Sequence, residues 1–135
     1  MTPDSKIGAK ALPSNLPCRY KKAGALEWRQ VAKASRAAGG RLLTLWGADD
    51  RDRDRRFRIY AAYLQAEGVA VVEHEMESGG KPTYPSVTEF FPSALRMERA
   101  IFDLLGIRSL EAEHRGWLRH GGWPLDVFPL SLIHI

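Results

Sequence analysis

Arg56-Phe57-Arg58-Ile59-Tyr60-Ala61-Ala62-Tyr63 is the stretch on which the fold turns. Phe57, Ile59, Ala61 and Tyr63 alternate with Arg56, Arg58 and Tyr60, and a period of two marks a strand with one buried face. Upstream, Arg41-Leu42-Leu43-Thr44-Leu45-Trp46 is an apolar run that ends at Gly47. Downstream, Ala66-Glu67-Gly68 makes a short turn into residues 69–76, which are β-branched at their start and polar at their end. Short connections between successive strands favour antiparallel neighbours, so strands near 41–46, 56–65 and 69–76 are expected as a meander. The charged run Arg51-Asp52-Arg53-Asp54-Arg55-Arg56 between the first two reads as a solvated hairpin loop with local ion pairs.

Such a sheet has one apolar face that needs a cover, and two helices are available. Over residues 26–38, Trp28, Val31, Ala32, Ser35 and Ala38 recur at helical spacing, and Gly39-Gly40 supplies the stop. Over residues 94–105, Ala94, Met97, Ile101, Leu104 and Leu105 form an apolar stripe that Gly106 terminates. The fold class expected is therefore α+β: an antiparallel sheet of three or more strands with helices packed on one face.

The flanks carry weaker patterns. Residues 1–25, punctuated by Pro3, Pro13, Pro17, Gly8 and Gly24, read as a flexible tail. Residues 108–129 combine Trp117, Trp123 and Phe128 with Pro124 and Pro129 and show no period. Large aromatics in irregular chain imply burial against something, so this stretch reads as an extended interface arm of the domain at 26–129.

Composition excludes several classes. The 135 residues fit one domain, and 44% hydrophobic with 27% charged residues is ordinary for a globular chain. No apolar run approaches the roughly 20 residues of a spanning helix. Cys18 is the single cysteine, which excludes a disulfide framework and any site held by several cysteines. The stretch from Met1 to Lys22 carries lysines and an arginine but no apolar core of a secretory signal, so a cytoplasmic location is the expectation. The net charge of +4 is scattered among acids and gives no basic stripe of the kind that tracks nucleic acid.

Catalytic patterns are equally absent. Gly79-Gly80-Lys81-Pro82 lacks the earlier glycine and the following Ser/Thr of a phosphate loop. His74-Glu75 lacks the second histidine of a zinc-protease motif, and His114, His120 and His134 fall in irregular or terminal chain. No catalytic, cofactor-binding or metal-ligating residue is assigned on this reading.

One long stretch resembles a known family. Residues 84–107 contain Pro85-Ser86-Val87-Thr88, Phe91-Pro92-Ser93-Ala94, Glu98-Arg99 and Asp103-Leu104-Leu105-Gly106-Ile107. These motifs resemble the signature of the thirty-kilodalton subunit of respiratory complex I, the NADH-quinone oxidoreductase. The strand pattern upstream extends the resemblance over about residues 26–129. The family-signature residues are Pro85, Ser86, Pro92, Glu98, Arg99, Asp103 and Gly106, and the resemblance implies a structural role for them. Ala100 stands where the respiratory subunits carry a second glutamate, and Arg96-Met97 where an aromatic pair is common. With Trp117 to Pro124 and Phe128-Pro129-Leu130, these departures look closer to the homologous N-terminal domain of the large subunit in formate-hydrogenlyase-type NiFe hydrogenases. There a cofactor-proximal domain follows, whereas this sequence ends in Leu130-Ser131-Leu132-Ile133-His134-Ile135. That hexapeptide is what CTG TCT CTT ATA CAC ATC encodes, a transposon end used as a sequencing adapter, so residues 130–135 are expected to be an artefact and the chain a fragment.

The resemblance implies a non-catalytic domain of a membrane-associated oxidoreductase complex, either NADH:quinone oxidoreductase or an energy-converting hydrogenase. The implied role is to brace the large catalytic subunit, which resembles either the forty-nine-kilodalton subunit of complex I or the NiFe hydrogenase large subunit. An iron–sulfur subunit and a membrane arm would lie beside it. NiFe or iron–sulfur centres would belong to those partners. The complex would hold the chain peripherally on the cytoplasmic face of the membrane. Glu98-Arg99 would be a helix-borne ion pair that fixes the helix in place. The competing reading is a free-standing basic adaptor for protein or RNA, in which Tyr60 and Tyr63 would stack bases; alternation places those two on opposite sheet faces.

Overall fold

The computed structural model describes residues 10–12, 17–77 and 81–110. In chain order these form β1 (Lys10–Leu12), β2 (Cys18–Lys22), α1 (Ala25–Ala37), β3 (Arg41–Asp50), the single helical turn α2 (Arg51–Asp54) and β4 (Arg56–Gln65). They continue with β5 (Gly68–Glu77), β6 (Thr83–Pro85), α3 (Ala94–Leu105) and β7 (Arg108–Leu110). The main sheet has five strands in the order β1-β2-β5-β4-β3, and β6 and β7 form a separate parallel pair.

The meander is present. β3 pairs antiparallel with β4, and β4 with β5, across Ala61↔Leu45 and Ala61↔Val72. β3 continues past Gly47 to Asp50, so it is longer than the apolar run alone indicates. A bulge between Leu42 and Thr44 shifts its register on β4. Phe57, Ile59, Ala61 and Tyr63 are all buried on the face that meets α1 and α3. α1 contributes Trp28, Val31 and Ala32 to that core, and α3 contributes Ala94, Ile101 and Leu105. Gly47 permits the close approach of α3: a Cβ there would lie 2.9 Å from Leu105 Cδ1 and 3.2 Å from Ile107 Cδ1.

Three expectations need correction. First, residues 18–22 are a strand rather than part of a tail. β2 pairs parallel with β5 and antiparallel with β1, which makes the sheet mixed. The strand is polar because its interactions run through its main chain and its charges. Buried Arg19 donates to Gln65 Oε1 at 3.2 Å and to the Glu67 carbonyl at 3.4 Å. Lys21 pairs with Glu27 at 2.7 Å. The Pro17 carbonyl accepts from Val69 N–H at 2.9 Å, and Gly68, at φ +128°, allows this approach. Second, the charged run does join the β3–β4 hairpin and carries local ion pairs, but it is a helical turn closed by Arg55 in the left-handed region (φ 61°) rather than irregular loop. Third, Arg108–Leu110, placed at the start of the arm, is strand β7, paired with β6 through Tyr84↔Ser109. The rest of the arm and residues 130–135 lie outside the described residues.

Candidate functional site

Ser86, Val87 and Thr88 converge on one buried carboxylate, that of Glu98. α3 is helical because its apolar positions recur at 94, 101 and 105, and Gly106 closes it in the left-handed conformation (φ 78°), donating to the Phe102 carbonyl at 2.9 Å. Glu98 falls on that same buried face and is 1% exposed. Ser86 Oγ donates to its Oε1 at 2.8 Å and Thr88 Oγ1 to the same oxygen at 3.0 Å. The Val87 backbone N–H donates to Oε2 at 3.0 Å. Ser86 also accepts from Thr88 N–H at 3.2 Å, which rounds the loop onto the carboxylate.

This clamp welds the loop at 86–88 to the middle of α3. A set of neutral donors holds Glu98. Burial raises the Glu98 pKa, opposed by hydrogen bonds from Val87 N–H, Ser86, Thr88 and Ser109. Tyr63 and Tyr84, both buried, have phenols pushed upward by desolvation first and the Glu98 charge second.

The remaining signature residues are placed around this clamp. The Pro85 carbonyl, at the end of β6, accepts from Trp28 Nε1 at 3.1 Å and ties α1 to the same loop. The Pro92 carbonyl accepts from Leu95 N–H at 3.2 Å as the chain turns into α3. Asp103 is fully buried on α3, and Arg99 is half-buried beside Glu98. Pro85, Ser86, Glu98 and Gly106 thus act in one unit that sets loop, helix and second sheet against the core. A buried acid at 98, between Ala94 and Ile101 on the apolar stripe, is a signal the sequence carries; its donors at 86 and 88 are not identifiable from spacing.

The opposite face of the main sheet has a different chemistry. Arg58, itself buried, reaches Asp50 at 2.8 Å, Glu75 at 3.3 Å, Glu73 at 3.7 Å, and Asp54. Lys22 reaches Glu75 at 3.1 Å and Glu73 at 3.8 Å, and Arg56 also pairs with Glu75. The Lys22 hydrogen bond, with those of Arg56 and Arg58, holds Glu75 down at about 2. Hydrogen bonds to Asp54 and Asp50 raise Arg58. Trp46 and Tyr60 stack beside this cluster at 5.2 Å and 14°. Tyr63 is 0% exposed in the core, so no two-tyrosine platform for bases exists.

Among the described residues, no group of three or more His, Cys, Asp and Glu is arranged so that it could hold a metal ion. His74 lines a cleft of about 210 Å³ with Lys22, Gly24 and Glu75, and its Nδ1 lies 2.9 Å from the Ala23 carbonyl. Cys18 is half-buried on β2. No helix among the described residues is long and apolar enough to cross a membrane.

Comparison with known proteins is decisive about ancestry. The family model for the respiratory-chain NADH dehydrogenase 30 kDa subunit matches residues 21–132. The chain belongs to that family. Formate hydrogenlyase subunit 5 of Escherichia coli (strain K12) is 30% identical over 96 residues, which is 68% of this chain and 17% of that protein. The chain thus spans about a sixth of the length of the curated relative it matches. A chain in the structure of the membrane-bound sulfane sulfur reductase, an archaeal respiratory membrane complex, shares the fold. It superposes with a TM-score of 0.71 at 17% identity, covering 91% of this chain and 74% of that one.

Proposed function

We propose that this chain is a bracing domain of a membrane-associated multisubunit oxidoreductase, holding a large catalytic subunit or domain in place during electron transfer. The observation that carries this reading is the Glu98 clamp. Its carboxylate is buried and both oxygens are engaged by the 86–88 loop, so the most distinctive residues of the motif serve architecture rather than a reacting centre. In this reading the domain holds no cofactor of its own. NiFe or iron–sulfur centres reside in an iron–sulfur subunit and in a large subunit like the forty-nine-kilodalton subunit of complex I or that of a NiFe hydrogenase. The chain sits peripherally on the cytoplasmic face through the membrane arm of the complex. Likeness to the formate hydrogenlyase subunit favours the hydrogenase branch over the respiratory one.

The experiment is affinity isolation of the protein, encoded by its intact locus, from detergent-solubilised native membranes. Recovery with a large catalytic subunit of either kind is expected, with loss of that recovery in Glu98→Ala. Recovery in the soluble fraction alone, or with RNA, would overturn the proposal.

A further inference from the structure

Among the described residues β3 is the terminal strand of the main sheet. It pairs with β4 on one side, and on the other the main-chain N–H and C=O groups of every second residue point away from the sheet. Arg41 to Asp50 contains neither the proline nor the lysine that commonly blunts such an edge. The bulge between Leu42 and Thr44 interrupts it once and leaves a regular run from Thr44 to Asp50. Five large apolar side chains are exposed among the described residues, and three gather here: Leu43, Trp46 and, on β4 across from Arg41, Leu64. Beside the same strand an apolar groove of about 250 Å³ separates Gly47 from Met97, Ala100 and Leu104 of α3. That volume is below the roughly 300–1,000 Å³ of a typical small-molecule pocket and suits one apolar side chain. The charge along this side is of one sign. Arg41 and Arg96 are exposed and Arg99 is half-buried, whereas the acids of α3, Glu98 and Asp103, are buried. Asp49 and Asp50, at the far end of β3, already pair with Arg51 and Arg58.

We infer that this edge and groove together seat an extended, acidic segment of the large catalytic subunit or domain, which adds a strand to β3 and sets one apolar side chain against α3. The inference rests on the bracing role proposed above and names the contact through which it acts. The edge selects a strand, because an extended chain matches its spacing of main-chain donors and acceptors. The pleat selects the anchor: side chains of an added strand alternate between the two faces, and every second one lies on the face that α3 occupies. The arginines select acids, since complementary charge fixes partner and register. A second copy of this chain fits less well. Paired antiparallel through β3 about a twofold axis, it would set its own α3 on the same face of the joined sheet and bring Arg96 and Arg99 of the two copies toward one another.

The test is photocrosslinking in native membranes. The protein encoded by the intact locus carries p-benzoylphenylalanine in place of Leu43, of Trp46 or, as a control on α1, of the exposed Leu26. After irradiation the joined peptides are identified by mass spectrometry. Positions 43 and 46 are expected to mark one segment of the large catalytic subunit or domain, with acids flanking an apolar residue, and position 26 is not. Ala100→Trp, which fills the groove, and separately Arg96→Glu should each lower that crosslink about tenfold, the scale of one lost anchor contact. The surface substitution Arg96→Glu keeps the test valid where Ala100→Trp disturbs folding, and its urea midpoint serves as the check. Crosslinks to a second copy, to a segment without acids or to another subunit overturn the inference, as does a crosslink that Arg96→Glu leaves unaltered. So does the absence of crosslinks in complexes that still contain the large subunit; each of these outcomes leaves the bracing role standing. Membranes in which no large catalytic subunit or domain accompanies the chain overturn both.

Discussion

Glu98 and Glu75 are both carboxylates held by three or more donors, yet they sit in opposite regimes. Glu98 is inside the protein, held by the neutral Ser86, Val87 and Thr88 donors. Glu75 is on the sheet's other face, among Lys22, Arg56 and Arg58. Their pKa values move in opposite directions, because desolvation dominates at the first and hydrogen bonding to cations at the second. The first is a geometric device with no redundancy. The second is an ionic mesh in which neighbours can substitute for one another.

The sharpest way to break that contrast is to delete each centre. Glu98→Ala leaves the Ser86, Val87 and Thr88 donors without their acceptor. Each buried unsatisfied group costs about 1–3 kcal/mol, so a net loss of about 3 kcal/mol is expected after partial rearrangement. Chemical denaturation midpoints in urea measure it, and addition of about 1 M salt, with a screening length of about 3 Å, should not rescue it. Arg58→Ala removes the hub of the mesh and leaves Asp50, Asp54, Glu73 and Glu75 facing one another. A loss of about 2 kcal/mol is expected, below the roughly 3–5 kcal/mol of a fully buried broken pair, and here salt should recover part of it. Equal salt responses in the two variants would erase the distinction.

pH separates the two with opposite signs. The folded pKa of Glu98 lies above its ordinary value of 4.5, so folding favours the protonated form. Its stabilising contribution is fully present below about pH 4.5 and is lost as pH rises through the folded pKa. Glu75, lowered to about 2, contributes above pH 4.5 and loses that contribution as pH falls toward 2. Urea midpoints against pH should therefore show Glu98→Gln removing a decline on the alkaline side of pH 4.5. Glu75→Gln should remove a decline on its acid side.

The smallest effect is expected at Arg29, a half-buried residue on α1 that pairs with solvent-facing Glu89 and lies 4.9 Å over the Phe90 ring. Arg29→Ala should cost no more than about 1 kcal/mol, measured in the same denaturation series. A larger loss would show that surface charge between α1 and the loop before α3 matters more than the mesh comparison allows.

Legibility in the sequence follows the same physics. Strand β4 and helix α3 are readable because their apolar residues repeat with the period of the element and face one core. β2 is not, because Cys18-Arg19-Tyr20-Lys21-Lys22 has no apolar alternation and gains its place through main-chain pairing with β5. The turn at Arg51–Asp54 is hidden because its charges signal solvation, while Arg58 on β4 gathers Asp50 and Asp54 into a compact corner. At the clamp, Glu98 is legible as an acid on an apolar stripe, but its three donors belong to a loop whose path only the fold defines.

The parallel docking of β2 also orders events in time. β3, β4 and β5 are joined by short connections and can pair as soon as each is made. Cys18 must instead find Val69, fifty-one positions later, before its strand has a neighbour on that side. Closing so long a loop is entropically slow and is repaid only by contacts that form together. The short connections of the meander therefore let it form without waiting for the first strands. During synthesis, β2 emerges with only β1 to pair with, and its other edge stays open until β5 has left the ribosome.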